Sequence, residues 1–137
     1  MLHFSPSAFS DLAILQILFS AFWAILFLQS GFDKLVDWKG NLAWLTGHFS
    51  KSFLHSSVPI LLGTITFLEI AAGASSLVGI VQIIWMDSFF LAQIGTLLSA
   101  ISLLMLFFGQ RIAKDYAGAA SIALYFFAAM FNLWLLR

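Results

Sequence analysis

One apolar stretch constrains this chain more than any other feature, because it is long enough to cross a bilayer and carries a single carboxyl group near its middle. It covers residues 58–85 and holds Glu69. Three further apolar segments cover residues 12–32, 89–108 and 117–136. At about 1.5 Å per residue, a helix of about 20 residues spans the ~30 Å hydrocarbon core. Lipid offers no partner to backbone amides, so each segment is predicted to be an α-helix.

Composition supports a membrane protein. The chain is 62% hydrophobic and 9% charged, whereas soluble domains are usually about 25% charged. We therefore predict an all-α integral membrane four-helix bundle that forms a single transmembrane domain over residues 1–137. The formal net charge is zero, so nothing indicates a nucleic-acid partner. The lipid membrane is the expected surrounding.

Basic residues predict the orientation of the helices. The first loop holds Lys34, Lys39 and Lys51, the third holds Arg111 and Lys114, and the opposite side holds only Arg137. By the positive-inside rule, the loops between helices 1 and 2 and between helices 3 and 4 are cytoplasmic and both termini are outside. The N-terminus lacks a basic region, so the first apolar run is expected to be a retained helix rather than a signal peptide.

The first loop is predicted to contain a short amphipathic helix at the membrane interface, at about residues 38–53. Its apolar residues recur every three or four positions: Trp38, Leu42, Leu45, Phe49 and Phe53. This spacing places them on one helix face. The helix is either a cover over the end of the bundle or a gate or docking surface. Trp38 and Lys39 are candidate headgroup contacts.

Glu69 is the main candidate for a functional group. It lies about 16 Å from the start of its helix, close to the membrane midplane. An ionised carboxylate is costly there, so we expect it to be neutral or paired. Counting residues along the other helices at the same rise of about 1.5 Å places Trp23, Ser99 and Tyr125 at a similar depth in the membrane. These four residues are a candidate ligand or proton site, and a hydrogen-bonded Glu that only joins helices is the alternative.

Two further polar features accompany Glu69. Gln16, Gln93 and Asn132 share a second depth, where their amides could bond to one another or simply join helices. Lys34 ends the first helix, where it either extends to the headgroups or meets an anionic headgroup or an acid of its own bundle. By the same residue count, the depths of Lys34 and Glu69 in the membrane differ by more than about 10 Å, so no direct contact between them is expected.

Several cofactors have no ligands in this sequence. There is no cysteine, which excludes thiolate-held iron–sulfur clusters. His3, His48 and His55 all lie outside the apolar spans, so we expect no haem and no metal site. The catalytic residues are not identifiable from the sequence. If the protein takes part in redox chemistry, the electron carrier must be a bound quinone or belong to a partner.

Three stretches of the chain resemble the DoxX family of small four-helix bacterial membrane proteins. The first helix ends in Gln29-Ser30-Gly31-Phe32-Asp33-Lys34-Leu35, similar to the small/Gly-x-x-Lys-Leu ending of that family. Glu69 is followed by Ala72-Gly73 and Leu77-Val78-Gly79, similar to its Glu-then-Gly-rich pattern. The hairpin from Gly109 to Gly118 has the expected basic turn. The phenylalanine-rich composition and the WKGN loop are similar to family members of Bacteroidetes type.

The resemblance implies an inner-membrane subunit of a larger, quinone-linked redox assembly, accessory to an oxidoreductase rather than catalytic itself. The family takes its name from the membrane subunit of a thiosulfate:quinone oxidoreductase. Two other functions are compatible with the sequence. One is a structural or assembly subunit, within a complex or homo-oligomer, with no site of its own. The other is a small proton or weak-acid transporter.

Overall fold

The computed structural model describes residues 10–137 as five α-helices and one short 3-10 turn. The helices are α1 (Asp11–Val36), α2 (Trp38–His48), α3 (Val58–Met86), α4 (Phe90–Ile112) and α5 (Tyr116–Leu135). The turn at His55–Ser57 leads directly into α3. The expectations for His3 and for the side of the membrane on which the N-terminus lies fall outside the described residues.

The four predicted spans are confirmed as helices that are long and apolar enough to cross a membrane. α1 and α4 each continue about one turn beyond their predicted ends. α2 is shorter than predicted, because it ends at His48 and turns follow it. Ser52 helps to shape these turns: its hydroxyl donates to the carbonyl of Phe49 at 3.0 Å and accepts from the amide of Leu54 at 3.2 Å. Such local bonds compete with helix continuation.

Short polar side chains fix where the helices begin. Ser10 Oγ accepts from the amide of Ala13 at 3.1 Å, and Asp115 Oδ1 accepts from the amide of Gly118 at 3.0 Å. Both are N-cap bonds, which satisfy amides that have no partner inside the helix. The tight α3–α4 connection is held by Gln82, whose side-chain oxygen accepts from the amide of Leu91 at 2.8 Å. This connection keeps α3 and α4 antiparallel and adjacent.

Glycines bring the central helices into backbone contact. A Cβ atom on Gly73 would lie 2.9 Å from the backbone nitrogen of Leu28 on α1. A Cβ atom on Gly79 would lie 2.7 Å from the backbone nitrogen of Ala92 on α4. Small residues allow this close approach between membrane helices. α3 is therefore clamped between α1 and α4 at positions where any larger side chain would push the helices apart.

α5 occupies the edge of the bundle. It packs along α4 and reaches α1 mainly through aromatic pairs, and its backbone does not come close to that of α3. The rings of Phe19 and Phe131 are 6.3 Å apart, and those of Phe22 and Tyr125 are 5.9 Å apart. The main core lies between α1, α3, α4 and α5 around Trp23 and Phe27, which are almost fully buried. Large apolar side chains on the outer faces are exposed, as expected where lipid is the solvent.

Candidate functional site

The most polar contact inside the bundle joins the end of α1 to the middle of α3. Lys34 Nζ lies 3.0 Å from Glu69 Oε1. The Glu69 side chain is fully buried, and the Lys34 side chain is 16% exposed. Lys34 Nζ also donates to Ser30 Oγ at 2.8 Å and, at 3.4 Å, to the Ser30 carbonyl one turn earlier. The carboxylate of Glu69 is therefore paired with a cation that Ser30 holds in place.

The pair is close in distance but does not satisfy Glu69 completely. Lys34 Nζ and Glu69 Oε1 are within ion-pair distance, yet neither Glu69 oxygen has a partner with hydrogen-bond angles among residues 10–137. We take the contact as an electrostatic pair, because Coulomb attraction depends on distance and only weakly on angle. A buried carboxylate that is paired on one side and has a free acceptor on the other is a site for an additional donor, such as water or a ligand.

The expectation that Lys34 and Glu69 do not meet is wrong. It assumed that α1 and α3 end at the same depth. Gly31 packs opposite Ile70 and Gly73 opposite Leu28. The N-terminal end of α3 therefore extends about seven residues, roughly 10 Å, past the C-terminal end of α1. This offset removes most of the supposed separation. The Lys34 side chain also leans toward the N-terminus of α1, and thus into the bundle, as helical side chains do.

A cavity of about 780 Å³ opens beside this pair. It lies under α2 and between the ends of α1, α3, α4 and the start of α5. Its walls are mainly apolar, and among residues 10–137 Lys34 and Arg111 are the only ionisable side chains that line it. The other principal lining residues are Trp44, Leu45, Phe49, Val58, Leu61, Leu62, Ile65, Met105, Phe108 and Ile122. Its volume is within the roughly 300–1,000 Å³ range of small-molecule sites.

α2 forms the cover of the cavity, through a small network at its C-terminal end. His48 Nε2 lies 2.9 Å from Gln110 Oε1 on α4. Gln110 Nε2 in turn donates to Asp115 Oδ2 at 3.2 Å. The ring of Trp44 stacks on His48 with centroids 4.6 Å apart. No residue of α2 is fully buried, so this helix lies over the bundle rather than inside its core.

The structure gives each of the residues predicted to surround Glu69 its own packing surroundings. Ser99 is fully buried, and its hydroxyl donates to the carbonyl of Gly95 at 2.7 Å. Trp23 is fully buried in the main core. Tyr125 is 38% exposed and lies in a groove between α1 and α5, beside Phe22. The nearest partner that the structure gives Glu69 is Lys34.

The predicted layer of three amides is only partly assembled. Gln16 and Asn132 are fully buried, whereas Gln93 is exposed. Ala92 occupies the α3–α4 contact, and the next residue along a helix points about 100° away from it. Asn132 Nδ2 donates to Thr96 Oγ1 at 2.7 Å, instead of to another amide. The layer is therefore an α4–α5 link with Gln16 at a separate position on α1.

The candidate headgroup residues lie at the end of the bundle near α2. Lys39 is exposed, whereas Trp38 is half-buried and reaches the region of α3 next to Gly63. Lys34 belongs to the interior pair and to the cavity wall. Of the three, Lys39 is the one free to meet a lipid headgroup.

Sequence reasoning missed several buried polar residues, although a signal for them is present. Gln16, Ser20, Trp23, Phe27, Gly31 and Lys34 follow one another on α1 at spacings of three and four. All of them except Lys34 are buried. A search for polar residues on the glycine-bearing helix faces would have found Ser20, and likewise Ser76 next to Gly79 and Thr96 next to Gly95. The cavity could not be predicted from the sequence, because it depends on where α2 lies over the bundle and residue spacing does not give that position.

Within the described part of the chain, no group of three or more His, Asp or Glu side chains is placed to hold a metal ion. No family model, curated protein or solved structure matches the chain.

Proposed function

We propose that this chain is a membrane subunit that binds an amphiphilic molecule of the quinone class and serves a larger redox assembly. One observation carries the proposal: an apolar cavity of about 780 Å³ has Lys34 in its wall, and the ammonium group of Lys34 is held against the buried carboxylate of Glu69. Pockets for small molecules typically combine apolar walls with a few fixed polar groups.

The chemistry of a quinone suits these walls. Its ring carbonyls accept hydrogen bonds, which the Lys34 ammonium donates, and its isoprenoid tail is apolar like the rest of the lining. Quinone reduction consumes protons as well as electrons, and the carboxylate of Glu69, 3.0 Å from Lys34 Nζ, has no partner of hydrogen-bond geometry among the described residues. The chain has no cysteine to hold an iron–sulfur cluster, so the electrons come from a partner subunit in this proposal.

Membership of the DoxX family is part of the same proposal. Two of the stretches that carry the resemblance, residues 29–35 and 69–79, pack against each other. Gly31 gives the close contact with Ile70, and Lys34 pairs with Glu69 at 3.0 Å. A shared role in one site gives a physical reason for both stretches to occur in the same chain.

The proposed location is a bacterial inner membrane, with α2 and the α4–α5 connection on the cytoplasmic side. Lys39, Lys51, Arg111 and Lys114 lie at that end of the four spans, whereas Asp87 is the only charged residue in the α3–α4 turn. This distribution follows the positive-inside rule. The quinone cavity then opens near the cytoplasmic face.

A binding titration tests the quinone proposal. The purified protein is titrated with a decyl-chain benzoquinone in detergent and in lipid nanodiscs. Leu61→Trp fills the cavity and is expected to weaken binding at least tenfold. Lys34→Met removes one charge-assisted hydrogen bond, generally about 1.5–3 kcal/mol, and is expected to weaken binding by about tenfold or more.

Phe67→Trp is the matched control, because Phe67 is on the same helix but 72% exposed and outside the cavity wall. It is expected to bind the quinone like the unmodified protein. Absence of saturable binding, or equal binding by Leu61→Trp and Phe67→Trp, would contradict the proposal.

A further inference from the structure

A series of fully buried polar side chains continues from Glu69 through the rest of the bundle. We call this series the polar file. Its members lie on all four membrane-spanning helices and none has measurable exposure to solvent: Glu69, Ser99, Thr96, Asn132, Ser76, Trp23, Ser20 and Gln16. Buried polar residues are expensive in a membrane bundle unless they are satisfied. Eight such residues in one small bundle require an explanation beyond helix packing.

The contacts between helices order the polar file by depth. Gly73 lies opposite Leu28, Gly79 opposite Ala92, and Thr96 opposite Asn132. These pairs place α1, α3, α4 and α5 on one common scale. On that scale no two successive members are more than about four residues, or about 6 Å, apart in depth. From Lys34 to Gln16, both on α1, the series covers about 27 Å, most of the hydrocarbon thickness.

Most members of the polar file have at least one polar atom without a hydrogen-bond partner in the part of the chain that the structure describes. These buried atoms are Ser20 Oγ, Ser76 Oγ, Trp23 Nε1, Asn132 Oδ1 and both amide atoms of Gln16. Both oxygens of Glu69 also lack a partner of hydrogen-bond geometry, although Oε1 lies 3.0 Å from Lys34 Nζ. A polar group that is buried without a partner loses its hydrogen bonds to water and gains none in return. Native proteins contain few such groups, and ordered water usually supplies the missing partners.

From these observations we infer that the polar file holds a chain of ordered waters and forms, with Glu69, a proton pathway between the Lys34 cavity and the opposite membrane face. The unpaired groups include donors and acceptors: the indole of Trp23 donates, Asn132 Oδ1 accepts, and the serine hydroxyls do both. A buried water needs two to four polar partners, and groups of these two kinds are what such a water binds.

The transfer itself requires no redox step. At each hop one O–H bond breaks and a new O–H bond forms on the next water or hydroxyl, so that a proton enters at one end and leaves at the other. Glu69 is the one carboxyl group of the file, and it accepts the proton from one neighbour and releases it to the next. Lys34 Nζ lies 3.0 Å from Glu69 Oε1 on the cavity side. This pathway stands on the unpaired atoms and is independent of quinone binding.

Proton flux into liposomes tests the pathway. The full chain is reconstituted with a pH-sensitive dye inside, and a potassium diffusion potential drives proton entry. The unmodified protein is expected to conduct protons above the rate of protein-free liposomes. Glu69→Gln, which cannot be ionised, and the double variant Ser20→Ala/Ser76→Ala are each expected to lower that flux at least tenfold. Ser20→Thr, which keeps a hydroxyl at this position, is expected to retain most of the flux of the unmodified protein.

Thr64→Ala is the control for the serine variants. Thr64 is an exposed hydroxyl residue on α3 whose Oγ1 donates to the carbonyl of Ile60, so its loss should leave the flux unchanged. Quinone titration of the same samples separates the two proposals, because the serine variants lie away from the cavity wall. If the protein conducts no protons above the rate of protein-free liposomes but still binds quinone, the proton pathway is overturned and the quinone proposal is not.

A second measurement detects the water directly and does not depend on transport. X-ray radiolysis of water generates hydroxyl radicals in place, so a buried aromatic ring is oxidised where an ordered water lies next to it. Trp23 is expected to be oxidised in the intact protein. Phe27 has the same burial and the same core surroundings but no polar atom, and is expected to stay unmodified. Equal protection of Trp23 and Phe27 would contradict a hydrated file.

Discussion

At the scale of single residues, the Lys34–Glu69 pair is the most consequential contact in the chain. A buried ion pair contributes little net stability compared with apolar residues of the same size, but removal of one partner leaves an uncompensated buried charge. Lys34 reaches Glu69 from a position that is 16% exposed, so it is the cavity-facing partner. Its loss should affect both the fold and the site.

Lys34→Met is expected to lower the free energy of unfolding by on the order of 3 kcal/mol. The cause is the unpaired carboxylate of Glu69, which has no other partner of hydrogen-bond geometry among the described residues. The double variant Lys34→Met/Glu69→Met should recover most of the loss, because it removes both charges at similar volume. Unfolding by denaturing detergent in mixed micelles measures all three proteins.

Lys39→Met is the control, since Lys39 is exposed on α2 and its removal should change stability by less than about 0.5 kcal/mol. If Lys34→Met is as mild as Lys39→Met, the ion pair does not exist in the folded protein. If the double variant is as unstable as the single one, Lys34 stabilises the bundle by packing and not by charge.

Glu69 could be selected from the sequence, but its partner could not. A lone acid in a 28-residue apolar run is conspicuous because charges are otherwise excluded from such runs. Finding Lys34 required the offset between α1 and α3, which depends on the close contacts at Gly31 and Gly73. Helix offset is a tertiary property, and the hydrophobic pattern of each helix alone does not contain it.

At the scale of helices, Gly79 sets the distance between α3 and α4. The nearest atoms to a Cβ at this position belong to the backbone of Leu91 and Ala92, which cannot rotate away as a side chain can. Gly79→Ala is therefore expected to separate the two helices and to cost about 1–3 kcal/mol of stability. Thermal unfolding in mild detergent measures the loss.

Gly63 provides the matched comparison on the same helix. A Cβ at Gly63 would meet only Trp38, at 3.9 Å, which is an ordinary contact distance. Gly63→Ala should leave stability unchanged or raise it by up to about 1 kcal/mol, because alanine favours helix over glycine. Equal destabilisation by both substitutions would show that α3 is sensitive to alanine itself and not to crowding against α4.

The helices themselves could be predicted well, since length and hydropathy are enough to find spans in lipid. The end of α2 was predicted five residues too late, because the apolar spacing continues through Phe49 and Phe53 while Ser52 bonds locally to the backbone. Phe53 consequently ends up 71% exposed instead of on the face of the interfacial helix.

At the scale of the whole molecule, the side on which the cavity opens decides which partners it can meet. The chain has no cysteine, so single-cysteine variants can be labelled without background. In intact bacterial cells, Ser88→Cys in the α3–α4 turn is expected to react with a membrane-impermeant maleimide. Lys51→Cys, after α2, is expected to react only after the cells are opened. Lys51 is exposed and Ser88 is partly exposed in the short α3–α4 connection, and the reverse pattern would overturn the proposed orientation.

The proposed function requires a bound quinone beside Lys34 and Glu69. The most direct measurement is gentle purification of the tagged protein from its native membranes, with solvent extraction for quinone and mass spectrometry for co-purifying subunits. We expect quinone in roughly stoichiometric amount together with redox subunits, and loss of the quinone in Leu61→Trp but not in Phe67→Trp. A protein that purifies alone, with no quinone in any variant, would contradict it.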